Sequence, residues 1–261
     1  MSPSYRLFAF DLDGTLLSRA GSIPPSIEGF LAGLVERAWV TLATGRSLAS
    51  ARPYAERLGI NAPAILYHGV VIWDFSAGKA ILERRLPPQG AAAVLEVCRN
   101  FPVAVQLYRA SDDPTVYVSE FSRPVLEFAR KESLPLKEGD LGQLAREGPL
   151  KFLIIGAPEQ LPGLAALLRE AAPGLTVVRA ERDYLEVLPP GVDKGEALAW
   201  LAGYLRIPLG EVVAVGDQES DLPMIRRAGL GVAMAAAPDV VRQAADVVVS
   251  SVAELADVLC L

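Results

Sequence analysis

The chain has 261 residues, half of them apolar, with 31 acidic against 25 basic side chains, a net charge of −6 and a pI near 5.0. That length exceeds the ~100–200 residues usual for one domain, so a single large domain or a core with an inserted unit is expected, and an acidic chain without a dense Lys/Arg cluster argues against a nucleic-acid partner. No segment has the roughly 18 uninterrupted apolar residues of a membrane helix, and the short N-terminal apolar patch holds Asp11 and Asp13, so neither a signal peptide nor a membrane span is expected and the reading is cytoplasmic.

In chain order, Arg6–Phe10 is predicted as a strand, Ser26–Arg37 as a helix, Val40–Ala43 as a strand, Leu48–Leu58 as a helix and Ala64–Trp73 as a strand or hairpin. A less regular middle, roughly Ala80 to Pro189, is punctuated by Pro87-Pro88, Asp112-Asp113-Pro114, Gly148-Pro149 and Pro189-Pro190-Gly191. Within it, strand-like Val103–Tyr108, Thr115–Ser119, Phe152–Gly156, Thr176–Ala180 and Tyr184–Leu188 alternate with helices near Gln89–Asn100, Arg123–Glu132 and Pro158–Ala172. The first alternation then returns: helix Lys194–Leu205, strand Glu211–Val215, helix Leu222–Ala228, strand Gly231–Met234, helix Asp239–Ala244 and strand Asp246–Val249. Repeated βα units predict a doubly wound, Rossmann-like parallel sheet over 1–79 and 190–261, with 80–189 as an inserted α+β cap domain. Cys98 and Cys260 stand far apart without metal-ligand spacing and are expected as two free buried thiols.

In an open parallel α/β sheet, ligands bind beyond the carboxyl ends of the strands, so polar residues just after each strand share one edge. Three clusters fall there: Asp11-Leu12-Asp13-Gly14-Thr15, Thr44-Gly45-Arg46, and Gly216-Asp217-Gln218-Glu219-Ser220-Asp221. Converging carboxylates repel one another unless a cation sits among them, and an all-oxygen set of Asp11, Asp13 and Asp217 suits Mg²⁺ better than zinc or copper. A phosphate ligand accounts for what remains. The turn amides of 12–14, the Thr44 hydroxyl with the Gly45 amide, and Lys194 at a helix start each offer a donor or a positive charge to a phosphoryl oxygen. Taken alone, each motif has an ordinary meaning: a solvent-facing acid pair, a turn, a solvated lysine, a helix N-cap. Only the set, in this order and each after its own strand, specifies a site.

The set DLDGT, LATGR, GVDKGEAL and GDQESDLPMI resembles the four motifs of the haloacid dehalogenase superfamily of phosphohydrolases. The long insertion and the tail GVAMAAAPDVVRQAADVV are similar to its Cof-like branch, which carries an α/β cap. The resemblance implies Asp11 as nucleophile, Asp13 as general acid and base, Thr44 and Lys194 as phosphate binders, and Asp217 as a metal ligand with Asp221 close behind. It also implies the main-chain carbonyl of Asp13 as a metal ligand. Two positions depart from that branch: Ser220 stands where Asn is common, and His68 in YHGVV where an Asn-Gly pair is usual. His68, the one histidine, is expected as a polar rim residue rather than a proton shuttle, because Asp13 already fills that role.

The implied chemistry explains why two acids end the first strand. Mg²⁺ and Lys194 offset the repulsion between an anionic ester and an anionic nucleophile, Asp11 forms an aspartyl-phosphate, and Asp13 protonates the leaving oxygen and then activates water. The two acids then need environments that push their pKa values apart. A phosphotransferase or mutase on the same core, a catalytically silent regulatory module, and a receiver-like domain are the competing readings; the last would lack the insertion and the lysine after it. The expected partner is a small phosphorylated metabolite, a sugar phosphate or, alternatively, flavin or pyridoxal phosphate, acted on by a monomer or homodimer. Tyr108 and Arg109, or Arg182, Asp183 and Tyr184, are candidates for reading the leaving group, although surface positions explain them equally.

Overall fold

A computed structural model describes residues 5–18 and 21–259; Cys260 lies outside them. The first stretch holds β1 (Leu7–Phe10), α1 (Pro25–Leu34), β2 (Trp39–Leu42), α2 (Leu48–Arg57), β3 (Ala64–Leu66), β4 (Val71–Asp74) and β5 (Lys79–Glu83). The middle holds α3 (Pro88–Cys98), β6 (Ala104–Tyr108), β7 (Val116–Val118), α4 (Arg123–Glu132), β8 (Leu136–Glu138), α5 (Leu141–Arg146), β9 (Lys151–Ile155), α6 (Leu161–Ala171), β10 (Thr176–Glu181) and β11 (Tyr184–Leu188). The last holds α7 (Lys194–Tyr204), β12 (Val212–Gly216), α8 (Leu222–Arg227), β13 (Leu230–Met234), α9 (Asp239–Ala244), β14 (Val247–Val249) and α10 (Leu255–Leu259).

The chain divides into two compact units. The first comprises the residues up to Arg46, Ala51–Ile81 and those from Asp193 on; the second comprises Ser47–Ser50 and Leu82–Val192. In the first, five strands run parallel in the order β14-β13-β12-β1-β2. All four residues of β1 are buried, as a strand covered on both faces requires, which is why Leu-Phe-Ala-Phe shows no alternation. β1 connects forward to β2 on one side and is flanked by β12 on the other. The winding therefore reverses between β1 and β12, and the crevice beyond their carboxyl ends is the place where such sheets hold ligands. Ala64–Trp73 resolves into the antiparallel pair β3 and β4, joined by a 3-10 turn at Tyr67–Gly69 and extended by β5.

The second unit is a six-stranded, mostly antiparallel sheet in the order β10-β11-β9-β6-β7-β8, with β7 and β8 parallel. Leu107, Phe152, Ile154, Leu185 and Val187 alternate onto one face and pack with residues of α3, α5 and α6. Cys98 is buried there, and burial pushes its thiol up to about 12. The short elements β8 and α5, together with β5 and α10, have no counterpart among the predicted elements. Three strand residues reading Leu-Lys-Glu and a six-residue helix are too short to show a period of their own. Among the described residues, no helix is long and apolar enough to cross a membrane.

Candidate active site

The crevice between β1 and β12 is lined by acids that the sheet delivers from separate parts of the chain. Asp11 follows β1 directly, Asp217 follows β12, and Asp221 lies in the 3-10 turn that leads into α8. All three are buried, and one carboxylate oxygen of each lies within 4.8 Å of the others. Lys194, at the first position of α7 behind the Asp193 N-cap, is 2 % exposed and donates to Asp11 Oδ1 and Asp221 Oδ1, both at 2.6 Å. The Asp221 Oδ2 accepts the amides of Asp217 at 3.0 Å and Gln218 at 2.9 Å, so both oxygens of Asp221 are committed to holding the loop and the lysine.

Electrostatics follow from this crowding. Burial raises the Asp11 carboxyl well above its ordinary 3.8; Lys194 pulls it back and the Asp221 and Asp217 charges push it up again. Burial and the Asp221 charge likewise raise Asp217. Burial by itself would lower the Lys194 ammonium, but Asp11 and Asp221 outweigh it and hold the group above its ordinary value. Three buried carboxylates beside one ammonium form an oxygen-only donor set with an excess of negative charge, and a hard divalent cation fits it.

Close approach shapes the loop. Gly14 has φ +86°, and a Cβ on it would overlap the Asp217 carboxylate, so the turn after Asp13 tolerates only glycine. Thr15 donates to Asp217 Oδ1 at 3.3 Å and Gln218 Nε2 to Asp217 Oδ2 at 2.9 Å. Neither is among the expected site residues: Thr15 stands within DLDGT and Gln218 within GDQESD, and nothing local marks either as a partner of Asp217. Asp13 departs from the cluster. Its carboxylate is taken by the Arg46 guanidinium, with Nε to Oδ2 and Nη2 to Oδ1 both at 2.7 Å. Ser220 is half-buried in the 3-10 turn, and its hydroxyl makes none of the cluster's hydrogen bonds.

Thr44 is buried beyond β2, and its Oγ1 accepts the Arg46 amide at 3.1 Å, which leaves its hydroxyl proton to point elsewhere. The His68 amide donates to the Thr44 carbonyl and the Tyr67 amide to the Arg46 carbonyl, so the turn after β3 clasps residues 44–46. The His68 imidazole lies over the Gly45 Cα, and a Cβ on Gly45 would overlap it. Gly45→Ala is therefore expected to displace the loop and lower kcat/KM by about 10²-fold. His68→Gly in the same chain should recover most of that loss, because it vacates the overlapping space; a steady-state comparison of the two variants checks this. The leaving-group candidates belong to the second unit and have local partners: Arg109 pairs with Glu147 at 3.1 Å, the Tyr108 hydroxyl donates to Gln106 at 3.1 Å, and the Tyr184 ring meets Phe128 edge-on. The Arg182 carbonyl accepts from Arg179.

A family model for haloacid dehalogenase-like hydrolases matches residues 8–259. An HMP-PP phosphatase from Serratia proteamaculans is 32% identical over 234 residues, covering 88% of this chain and 84% of its own. A haloacid dehalogenase-like hydrolase from Bacteroides thetaiotaomicron, 27% identical, superposes with a TM-score of 0.88 over 98% of this chain and 100% of its own. A Thermotoga maritima protein of known crystal structure, 30% identical, gives 0.83 over 98% and 96%. The chain belongs to the haloacid dehalogenase-like hydrolases, and within that family it is a phosphoric monoester hydrolase.

Proposed function

We propose that the protein is a magnesium-dependent phosphatase of a small phosphate monoester, a sugar phosphate or similar metabolite, working through an aspartyl-phosphate on Asp11. The observation that carries this reading is the Asp11 carboxylate at the β1/β12 crevice, one oxygen held by the buried Lys194 ammonium and the whole group set beside Asp217. Asp11 attacks phosphorus while Lys194 holds it in line; the Thr44 hydroxyl, the Gly45 amide and Lys194 bind phosphoryl oxygens. Asp13 protonates the leaving oxygen and then takes a proton from the water that opens the acyl phosphate. Asp11, Asp217 and the main-chain carbonyl of Asp13 would hold Mg²⁺, with Asp221 and Ser220 supporting them. When bound, Mg²⁺ neutralises charge on the phosphoryl group and on Asp11. Residues 80–189 form the cap that sets specificity, and 1–79 with 190–261 the catalytic core.

Chelation should abolish hydrolysis of an aryl phosphate and Mg²⁺ should restore it; full turnover in excess chelator contradicts the reading. A panel of sugar phosphates, flavin and pyridoxal phosphates and the HMP-PP of the 32% relative's name, assayed for phosphate release with water as sole acceptor, tests the substrate class. Stability gives a second readout. Because the folded values of Asp11 and Asp217 are raised, the contribution of these two acids to the stability of the metal-free fold is fully present where they keep their protons, below the ordinary 3.8, and is lost as pH rises through the raised values. A cation that replaces those protons should raise Tm by roughly 5 °C or more at about pH 8 and by less at about pH 5. Equal shifts at the two pH values, by calorimetry, would argue for binding elsewhere.

A further inference from the structure

Arg46 stands next to the phosphate-binding pair Thr44-Gly45, yet the proposed chemistry leaves it without a task. Its guanidinium grips the Asp13 carboxylate through two parallel hydrogen bonds of 2.7 Å, the fork-to-fork geometry that arginine makes and lysine does not. An ion pair between two mobile surface chains fixes little. This pair is unequal: the Asp13 side chain is 55% exposed, the Arg46 side chain only 15%.

Arg46 is also tied down around that grip. Its guanidinium carbon lies 5.1 Å from the centre of the Tyr54 ring, its amide donates to Thr44 Oγ1 at 3.1 Å, and its carbonyl accepts the Tyr67 amide at 3.1 Å. Tyr67 and His68 both carry positive φ, 51° and 56°, a conformation that such residues keep only where the surroundings enforce it. On the other side, the Leu12 carbonyl accepts the amides of Leu16 and Leu17, which fixes the backbone that bears Asp13. A fixed arginine therefore faces an exposed acid on a fixed loop. The two acids of DLD are separated by cation: Asp11 rests on Lys194 and Asp13 on Arg46.

We propose that Arg46 is a positioning residue for Asp13: it holds an exposed carboxylate in one orientation. This rests on the reading of Asp13 as acid and base. Without Arg46, the Asp13 side chain would spread over several rotamers, and the step that suffers is proton delivery to a leaving oxygen that needs it. Attack by Asp11 on an ester with a good leaving group should be nearly unaffected.

The test is kcat and KM over a series of phosphate monoesters of graded leaving-group basicity, from nitrophenyl to alkyl, for the wild type, Arg46→Met, Arg46→Lys, Asp13→Asn and the double variant Asp13→Asn/Arg46→Met. In Arg46→Met, kcat/KM, which reports the steps through phosphoryl transfer, should fall about 10–100-fold for the alkyl ester and change by less than about 3-fold for the nitrophenyl ester. Arg46→Lys, which keeps the charge and loses the fork, should lie between and serves if the Met variant folds poorly. Adding Arg46→Met to Asp13→Asn should steepen the dependence no further. A parallel fall in kcat/KM for all esters would mark Arg46 as a phosphate contact or loop support and overturn the proposal, as would additive effects on kcat/KM in the double variant. If Asp13→Asn itself leaves the dependence unchanged, the acid–base reading fails and the proposal with it; if Asp13→Asn steepens it and both Arg46 variants do not, only the proposal fails.

Discussion

Asp11→Asn is expected to eliminate turnover, by on the order of 10⁴-fold or more, and to leave no covalently phosphorylated protein with any ester, because it removes the attacking carboxylate while keeping the volume of the side chain. Asp13→Asn should behave differently. An ester whose leaving group needs little protonation can still phosphorylate Asp11, but the later attack of water lacks its base, so phosphoenzyme should accumulate. With a poor leaving group, turnover should fall by about 10²–10⁴-fold. The two substitutions are nearly matched in charge and volume, so a difference between them reports role rather than general electrostatics. Intact-protein mass after mixing each variant with a nitrophenyl ester and Mg²⁺ reads the added phosphoryl group directly. Phosphoenzyme in the Asp11→Asn protein, or undiminished turnover of an alkyl ester by Asp13→Asn, would reverse the assignment.

Lys194→Met should cost both activity and stability. The ammonium is the partner of two buried carboxylates at 2.6 Å, with Asp217 beside them, and removing one partner of such a group leaves an uncompensated buried charge worth about 3–5 kcal/mol. For a chain of this length, that corresponds to a Tm loss on the order of 10 °C. The loss should depend on pH. Asp11 and Asp217 are already raised, and without the lysine they rise further, so the variant's deficit is small where both are protonated, near the ordinary 3.8, and grows as pH rises through their folded values. Thermal unfolding in metal-free buffer at about pH 5 and about pH 8 compares the two regimes. A deficit equal at both would mean that Lys194 contributes packing rather than charge.

Much of this molecule is legible along the chain because its signals are local. An apolar strand that ends in an acid, a Thr-Gly after the next strand, and a lysine just behind an Asp N-cap are each defined by a few consecutive residues. The βα alternation that puts them on one sheet edge follows from hydrophobic period alone. The short elements β8 and α5 escaped because three to six residues form no period, and they are held by their neighbours in the second unit's sheet and core.

What adjacency could not supply was partnership. Asp11, Asp13 and Asp217 look equivalent in sequence, all acids at strand ends, and were expected to converge on one cation. The tertiary structure gives them different neighbours: Asp11 and Asp217 stay together with Asp221 in the buried cluster, Asp11 on Lys194 and Asp217 on Thr15 and Gln218, while Arg46, from 33 residues away, takes the Asp13 carboxylate. His68 shows the same limit. Its residue type suggests a rim group; its place against Gly45 is set by a left-handed turn that no propensity predicts and that only the packed loop enforces. Residue types and their order along the strands thus determined the chemistry available to this protein. Which carboxylate faces which cation depended on distances and burial that exist only after the sheet has closed, because charge interactions in a low-dielectric crevice are decided by a few ångströms of separation rather than by position in the chain.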